Sequence, residues 1–518
     1  MDEVAESPQN REKAAGRPDA AVPVGSEAGA HLDVLPLPMA APARGRQSLR
    51  FRHRHMQLWG RDISSSRVLL ALAEFLVLLA AFEVALRIWL SGGTGATAAP
   101  GEPLLALTLF GAVNVGAMLS MGLYRRGAGH GLSSTLLRLV GALILGAIVL
   151  AGLFYLIPQA SVGRGALGLA FVLAFPGLLM TRFIGVRLLE LDAFRRQVLV
   201  LGAGHNAELI NRIQHRKGRH GFSVAGFVPG PNEARVVNAG RFVDPELPLA
   251  QYVALHHIDD VVVALDDARG GVPFDELIAC KMSGVDVLDI THFFEREAGV
   301  VKLDTLRPSA MIFSRGFRQS LYRDVTKRTL DVVASLGLLA VAWPFMLLTA
   351  AGILVESRGR GSVLYRQVRV GQYGRQFTLL KFRSMVMDAE IDGKPRWAEQ
   401  NDARITRFGR FIRKTRLDEL PQLLNVIRGD MSFVGPRPER PVFVRQLAER
   451  LRYYQHRHWV KPGLTGWAQI NYPYGASEQD ALEKLQYDLY YVKNPSIALD
   501  LLTIAQTVEV VLFGRGSR

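Results

Sequence analysis

The chain has 518 residues, 49% of them apolar, which is too long for one compact core and too apolar for a wholly soluble protein. Its 62 Lys and Arg against 47 Asp and Glu give a formal charge of +15, which points to an anionic partner without choosing among phospholipid, nucleotide, phosphorylated lipid and nucleic acid. The single cysteine, Cys280, excludes an internal disulfide framework and a multi-cysteine zinc site.

Residues 1–66 are rich in Ala, Pro, Gly, Arg and Ser and have no sustained apolar period, so a disordered tail is predicted there. Four apolar runs follow, at about 68–90, 103–123, 139–157 and 165–189. Each is near the ~20 residues that cross the hydrocarbon layer at ~1.5 Å per residue. Arginines precede the first run, lie between the second and third and follow the fourth, whereas the other two loops hold one arginine between them. By the positive-inside rule both ends of this four-helix transmembrane unit, residues 67–192, face the cytoplasm. Glu74 and Glu83 lie nine residues apart within the first run, on opposite helix faces, and Glu83 has Arg87 one turn on. This spacing favours packing and orientation over transport.

From residue 193 to 320 strands and helices alternate, as in a parallel sheet of Rossmann type. Strands are predicted at 198–201, 222–228, 261–265 and 285–290. The first runs into Gly202-Ala-Gly204-His-Asn-Ala207, the G-x-G-x-x-A form of a nucleotide loop. The second strand ends at Val228-Pro229-Gly230 without the acid that would hold a ribose, and no Tyr-x-x-x-Lys pair follows to run hydride chemistry. Both a nucleotide site and a purely structural or regulatory module remain open on these residues.

A fifth apolar run, 329–356, is broken by Trp343-Pro344. Lys327 and Arg328 precede it and Arg358, Arg360, Arg366 and Arg369 follow it, so the charge rule draws both ends to one side. A mid-helix proline removes a backbone hydrogen bond and kinks the helix, which suits a segment that dips into one leaflet and returns. A re-entrant hairpin is therefore predicted over 329–356, with the remainder of the 321–518 region cytoplasmic. Asp331 is costly in lipid unless paired, and Lys327 has the i, i+4 spacing to pair with it.

The densest chemistry lies between residues 361 and 467. Arg404, Arg407, Arg410, Arg413 and Arg416 recur every third residue, as on a helix at headgroup level where arginines meet lipid and substrate phosphates. Asp418-Glu419-Leu-Pro421 follows. On one reading Asp418 caps a helix that starts at the proline. On the other, the same helix start presents amides and a positive dipole end to a phosphate while one carboxylate attacks phosphorus and its neighbour holds Mg²⁺. Gly371 and Gly374 mark a turn between strands 363–369 and 377–382. Lys381, Arg383 and Arg437 stand on separate strands or loops beside rigid prolines, and fixed cations around a carboxylate pair are what phosphoryl transfer requires.

Residues 322–518 resemble the bacterial sugar transferase family, the polyprenyl-phosphate phosphoglycosyl transferases. The resemblance rests on Lys327-Arg328-x-x-Asp331, the proline-broken hairpin, Lys381-Phe-Arg383-Ser-Met, Asp418-Glu419-Leu-Pro-Gln and Gly435-Pro436-Arg437-Pro438. The four spans plus the Rossmann-like module resemble the long form that initiates exopolysaccharide or O-antigen synthesis. In place of the small or hydroxyl residue that some relatives carry before the hairpin proline, this chain has Trp343.

The resemblance implies a membrane protein of mixed class. It would combine a four-helix transmembrane bundle, an α/β Rossmann-like cytoplasmic module, and a monotopic α+β catalytic domain with a re-entrant membrane helix, in the bacterial inner membrane. Asp418 would attack the sugar-bearing phosphate of a UDP-hexose and release UMP, and undecaprenyl phosphate would then take the sugar phosphate from the aspartate. Glu419 would bind Mg²⁺, Arg413 and Lys381 would contact phosphate, and Pro436, Arg437 and Pro438 would contribute to the nucleotide site. The implied partners are both substrates and membrane lipids, with no nucleic acid, and the Rossmann-like module offers a surface for a homodimer. Competing readings are a membrane-bound NAD-dependent nucleotide-sugar dehydratase or epimerase, a non-enzymatic assembly scaffold, and a glycosyl transferase that releases UDP.

Overall fold

A computed structural model of the chain describes residues 56–58, 61–63, 65–91, 103–124, 132–190, 195–215, 221–231, 233–267, 271–306, 311, 316–317, 320–387, 402–473, 475 and 477–512. Residues 1–55, most of the segment read as a disordered tail, lie outside them. Within the rest of that segment, β1 (Met56–Leu58) and β2 (Arg61–Ile63) form a small antiparallel ladder. Two three-residue strands leave no trace in composition averaged over 66 residues.

The first four helices are α1 (Ser65–Ser91), α2 (Pro103–Ser120), α3 (Leu132–Leu156) and α4 (Arg164–Glu190). Each is apolar nearly all round, so size decides what lies inside. Ala85, Ala106, Ala142, Ala170 and Ala174 let backbones approach around Phe82 and Phe110, while Leu72, Leu76, Ile144, Ile148 and Val172 face outward. Glu74 is fully buried and used in packing: its carboxylate lies 2.9 Å from Arg182 Nε and accepts the Tyr124 hydroxyl. Glu83 pairs with Arg87 at 2.7 Å on an exposed face. Among the described residues five helices are long and apolar enough to cross a membrane, these four and α9 below, and the chain is a membrane protein.

The α/β module is a parallel sheet of β3 (Arg196–Leu201), β4 (Phe222–Val228), β5 (Asp260–Val263) and β6 (Asp286–Asp289), in the order β4-β3-β5-β6. Period-two alternation supplies both faces. Val198 and Val200 pack with Phe293 and Phe294, whereas Leu199 and Leu201 pack with Leu249, Leu277 and Cys280. The helices are α5 (His205–His215), α6 (Leu249–Leu255), α7 (Phe274–Met282) and α8 (Ile290–Ala298). Asp289 caps α8 through the His292 amide, and Gly299, at φ 65°, ends it.

The C-terminal region opens with α9 (Leu321–Glu356), which starts eight residues before the apolar run because the basic stretch ahead of it is helical too. Pro344 lies inside this helix. The hairpin β7 (Leu364–Val370) and β8 (Gln376–Phe382) turns through residues 371–375, with Gly374 at φ 78°. Then come α10 (Arg407–Lys414), a 3₁₀ turn at Leu417–Glu419, α11 (Gln422–Arg428), β9 (Ser432–Val434) and α12 (Pro441–Arg450). The chain closes with β10 (Gly463–Thr465), parallel to β9, then α13 (Trp467–Asn471), α14 (Glu478–Lys493) and α15 (Ile497–Leu512).

Candidate active site

The carboxylate pair sits where α10 ends and α11 has not begun. Thr406 caps α10 by accepting from the Gly409 amide, and the helix stops after Lys414. Arg416 then takes a left-handed backbone, φ 61°, which is uncommon for a residue with a Cβ, and turns the chain into the Leu417–Glu419 3₁₀ turn. Asp418 lies in this turn and is 7% exposed, and Pro421 occupies the cap position of α11. The capping role for Asp418 is thereby overturned: the 3₁₀ turn intervenes, and the Asp418 side chain makes no cap bond.

Glu419 is ringed by cations from three separate segments. Lys381 Nζ, on β8, lies 2.9 Å from its Oε1, Arg437 3.4 Å and Arg416 3.8 Å. Burial raises its pKa, but Lys381, Arg437 and Arg416 outweigh burial and hold the carboxyl well below the usual range. Asp418 shifts the other way. Burial dominates, the neighbouring Glu419 adds to it, and the opposing pull of Lys381, Arg413 and Arg416 does not cancel them, so its pKa is raised. Two adjacent carboxyls thus differ in state and surroundings: one is ionised and committed to cations, the other buried without an ion pair among the described residues. The second is free to form a bond.

The other expected residues divide between those brought to this pair and those held apart. Arg413 donates from Nε to Ser384 Oγ at 2.8 Å, and its charge acts on Asp418. Arg383 donates to the Arg360 carbonyl at 3.0 Å and joins no carboxylate among the described residues. Arg437 is held by its turn: the Pro436 carbonyl accepts from Gly463, the Arg437 carbonyl from Arg457, and the Pro438 carbonyl from Arg369. Arg457 is itself buried on Asp488 at 2.7 Å. Sequence reading missed Arg457, which stands alone among aromatic residues and has no spacing to mark it. It also placed Arg416 in a single headgroup-facing stripe. That stripe is divided, because α10 spans only Arg407–Lys414: Arg404 pairs with Asp402 before the helix and Arg416 with Glu419 after it.

Asp331 is buried, and its nearest partners are not on its own helix. Its Oδ1 accepts from Ser432 Oγ and the Phe433 amide, both at 3.0 Å, while Lys327 is 3.8 Å away. Lys327 instead reaches the Val434 carbonyl at 3.1 Å and Asp500 at 3.0 Å, and Tyr491 donates to both of those groups. Arg328 donates to the Val426 and Ile427 carbonyls at 2.6 Å each, satisfying the open end of α11. The start of α9 therefore grips the two segments that flank the site, α11 after the carboxylates and β9 before the Pro436-Arg437-Pro438 turn.

Metal fit can be judged from the donors alone. Among the described residues no group of three His, Cys, Asp or Glu converges. Asp418 and Glu419 offer one or two carboxylates, which suits an ion such as Mg²⁺ that keeps several waters and completes its shell with substrate phosphates.

Comparison with known proteins identifies the regions of the chain that have relatives. The bacterial sugar transferase family matches residues 322–514 and the CoA-binding domain family residues 120–271. A UDP-N-acetylgalactosamine-undecaprenyl-phosphate N-acetylgalactosaminephosphotransferase of Aeromonas hydrophila is 38% identical over 54% of this chain and 63% of its own length, so the match spans less than two thirds of that relative. A UDP-glucose:undecaprenyl-phosphate glucose-1-phosphate transferase of Xanthomonas campestris pv. campestris is 32% identical over 81% of this chain and 88% of its own. An undecaprenyl-phosphate glucose phosphotransferase of Komagataeibacter xylinus is 32% identical over 69% and 67%. With a relative matched over nearly its whole length and the carboxylate pair, its cations and the Pro-Arg-Pro turn all inside the matched region, the chain belongs to the bacterial sugar transferase family.

Proposed function

We propose that the protein transfers a hexose 1-phosphate from a UDP-sugar to undecaprenyl phosphate and releases UMP, the first membrane step of a polysaccharide pathway. The observation that carries this reading is the contrast between Asp418, buried and without an ion pair, and Glu419, ionised within a ring of three cations. An Asp418 oxygen attacks the sugar-bearing phosphorus, the bond to UMP breaks, and UMP leaves with the electron pair. A phosphate oxygen of the lipid then attacks the same phosphorus and the aspartyl oxygen departs as carboxylate. Lys381, Arg413, Arg416 and Arg437 offset charge on the transferring phosphoryl group. Mg²⁺, held by Glu419, would neutralise phosphate charge and favour UMP as leaving group.

The same reading places the protein in the bacterial inner membrane with the site on the cytoplasmic face, and bends α9 at Pro344 into a re-entrant element. A straight helix would hold Arg328 and Ile353 about 38 Å apart at ~1.5 Å per residue. Yet Arg328 is bonded to α11, and Ile353 packs with Phe382 and Ile412, close to the same carboxylate pair. Both ends of α9 are thus bound to one small domain, which favours a bend. Membrane lipids then surround its apolar middle.

A homodimer through the α/β module fits one exposed stripe. Phe274, Ile278 and Met282 recur every fourth residue on α7 and are 67, 57 and 81% exposed. Set antiparallel against a second copy about Ile278, Phe274 meets Met282, and exposed Asp275 faces exposed Lys281.

Detergent-solubilised protein incubated with undecaprenyl phosphate, Mg²⁺ and each of several UDP-hexoses is expected to yield UMP with one donor and none with Asp418→Asn. UDP as the product, or undiminished UMP from the variant, overturns the reading.

A further inference from the structure

The glycine loop of the α/β module has the form of a nucleotide site and lies where ligands bind in such sheets, outside the carboxyl ends of the strands. Its amides, however, already have anions. Glu233, from the loop after β4, accepts from the Ala203 amide at 2.8 Å and the Gly230 amide at 3.2 Å through Oε2, and from the Asp266 amide at 3.0 Å through Oε1. Asp266, from the loop after β5, spans the first two amides of α5: Oδ2 takes His205 and Oδ1 takes Asn206, both at 2.8 Å. Two carboxylates thereby satisfy five amides from three loops, including those a pyrophosphate would use.

The space is filled as well as the hydrogen bonds. A Cβ added to Gly204 would meet Asp266 Oδ2 at 2.2 Å and Glu233 Oε1 at 2.8 Å, so the close approach that glycine normally leaves for a phosphate is taken by the chain's own oxygens. A phosphate entering beside them would also bring like charge against two carboxylates. The acid expected at the end of β4 to hold a ribose is absent, and Glu233, the first acid beyond that strand in the described residues, is spent on the loop instead.

We infer that Glu233 and Asp266 are built-in ligands that close this glycine loop, so the module takes no nucleotide or coenzyme and serves as a rigid adaptor. Its other side is made for docking. Lys493 reaches buried Glu295 at 2.6 Å, Trp467 donates to the Gly299 carbonyl at 2.9 Å, and the Val301 amide donates to the Gln486 carbonyl at 3.1 Å, all joining α8 and its exit to the catalytic region. With its loop latched, the module presents α8 in one geometry.

Hydrogen exchange on the full detergent-solubilised chain tests this. The Ala203, His205 and Asn206 amides are expected to be protected without any added ligand, to be unchanged by millimolar CoA or NAD⁺, and to exchange at least ten-fold faster in the double variant Glu233→Gln, Asp266→Asn. Fast exchange in the unmodified protein that slows ten-fold on adding CoA or NAD⁺ would overturn the inference, as would unchanged protection in the variant. UMP release, which tests Asp418 alone, is independent of every one of these readings.

Discussion

At the scale of single residues, the chemistry turns on a lysine that reads two carboxylates at once. Lys381 holds Glu419 directly and is the largest influence opposing the effect of burial on Asp418. On the proposed mechanism Asp418 attacks as its anion, and its pKa is raised by burial, so the rate is expected to fall with decreasing pH from a point above the ordinary carboxylate range. Replacing Lys381 with Met removes the main opposing influence. The acid limb of the pH–rate profile should then move to higher pH, and the maximal rate should fall by about 100-fold, the scale of losing one preorganised electrostatic contact. A limb that stays in place in the variant would separate Lys381 from Asp418.

At the scale of elements, α9 does more than enter lipid. Lys327 lies between the buried carboxylates of Asp331 and Asp500 and also supports the Val434 carbonyl, so removing its charge takes away the ion pair that Asp500 makes among the described residues and part of the cationic field on Asp331. Lys327→Met is expected to destabilise the catalytic region by about 3–5 kcal/mol, measured by thermal unfolding in detergent, with Lys327→Arg much milder. On α7 the apolar stripe makes a separate prediction. Ile278→Glu puts like charges opposite each other at the proposed two-fold axis, and light scattering should find monomers where the parent protein is dimeric.

At the scale of the whole molecule, α15 ties the catalytic region to the membrane unit. Its first turn carries Asp500, in contact with Lys327 and Tyr491, and near its other end Glu509 forms a buried ion pair with Arg138 of α3 at 2.8 Å. Arg138 also donates to the Met121 carbonyl, so the pair closes against the end of α2. Glu509→Ala removes the carboxylate paired with the buried Arg138 guanidinium, and a stability loss of about 3–5 kcal/mol is expected, with faster hydrogen exchange along residues 497–512. Unaltered exchange there would mean that packing of α15 on α2, rather than the ion pair, sets the orientation.

What the sequence determined by itself is what local physics controls. Runs of about twenty apolar residues mark membrane helices because the hydrocarbon layer has a fixed thickness. The four strands of the α/β module lie within two residues of where alternation and β-branched residues placed them, and Gly371 and Gly374 bound the β7–β8 turn. The catalytic motifs stood out because several charged and rigid residues recur in a short stretch. Tertiary structure alone decided which groups meet. It sent Arg383 to a backbone carbonyl while Arg437 and Arg416 reached Glu419, gave Asp331 partners on β9 in preference to Lys327 one turn away, and filled the glycine loop with Glu233 and Asp266. Apart from Arg416 with Glu419, which the left-handed turn at Arg416 brings together, those pairings join residues far apart in the chain, and an electrostatic or hydrogen-bonding preference acts over a few ångströms in space, which spacing along the chain does not encode.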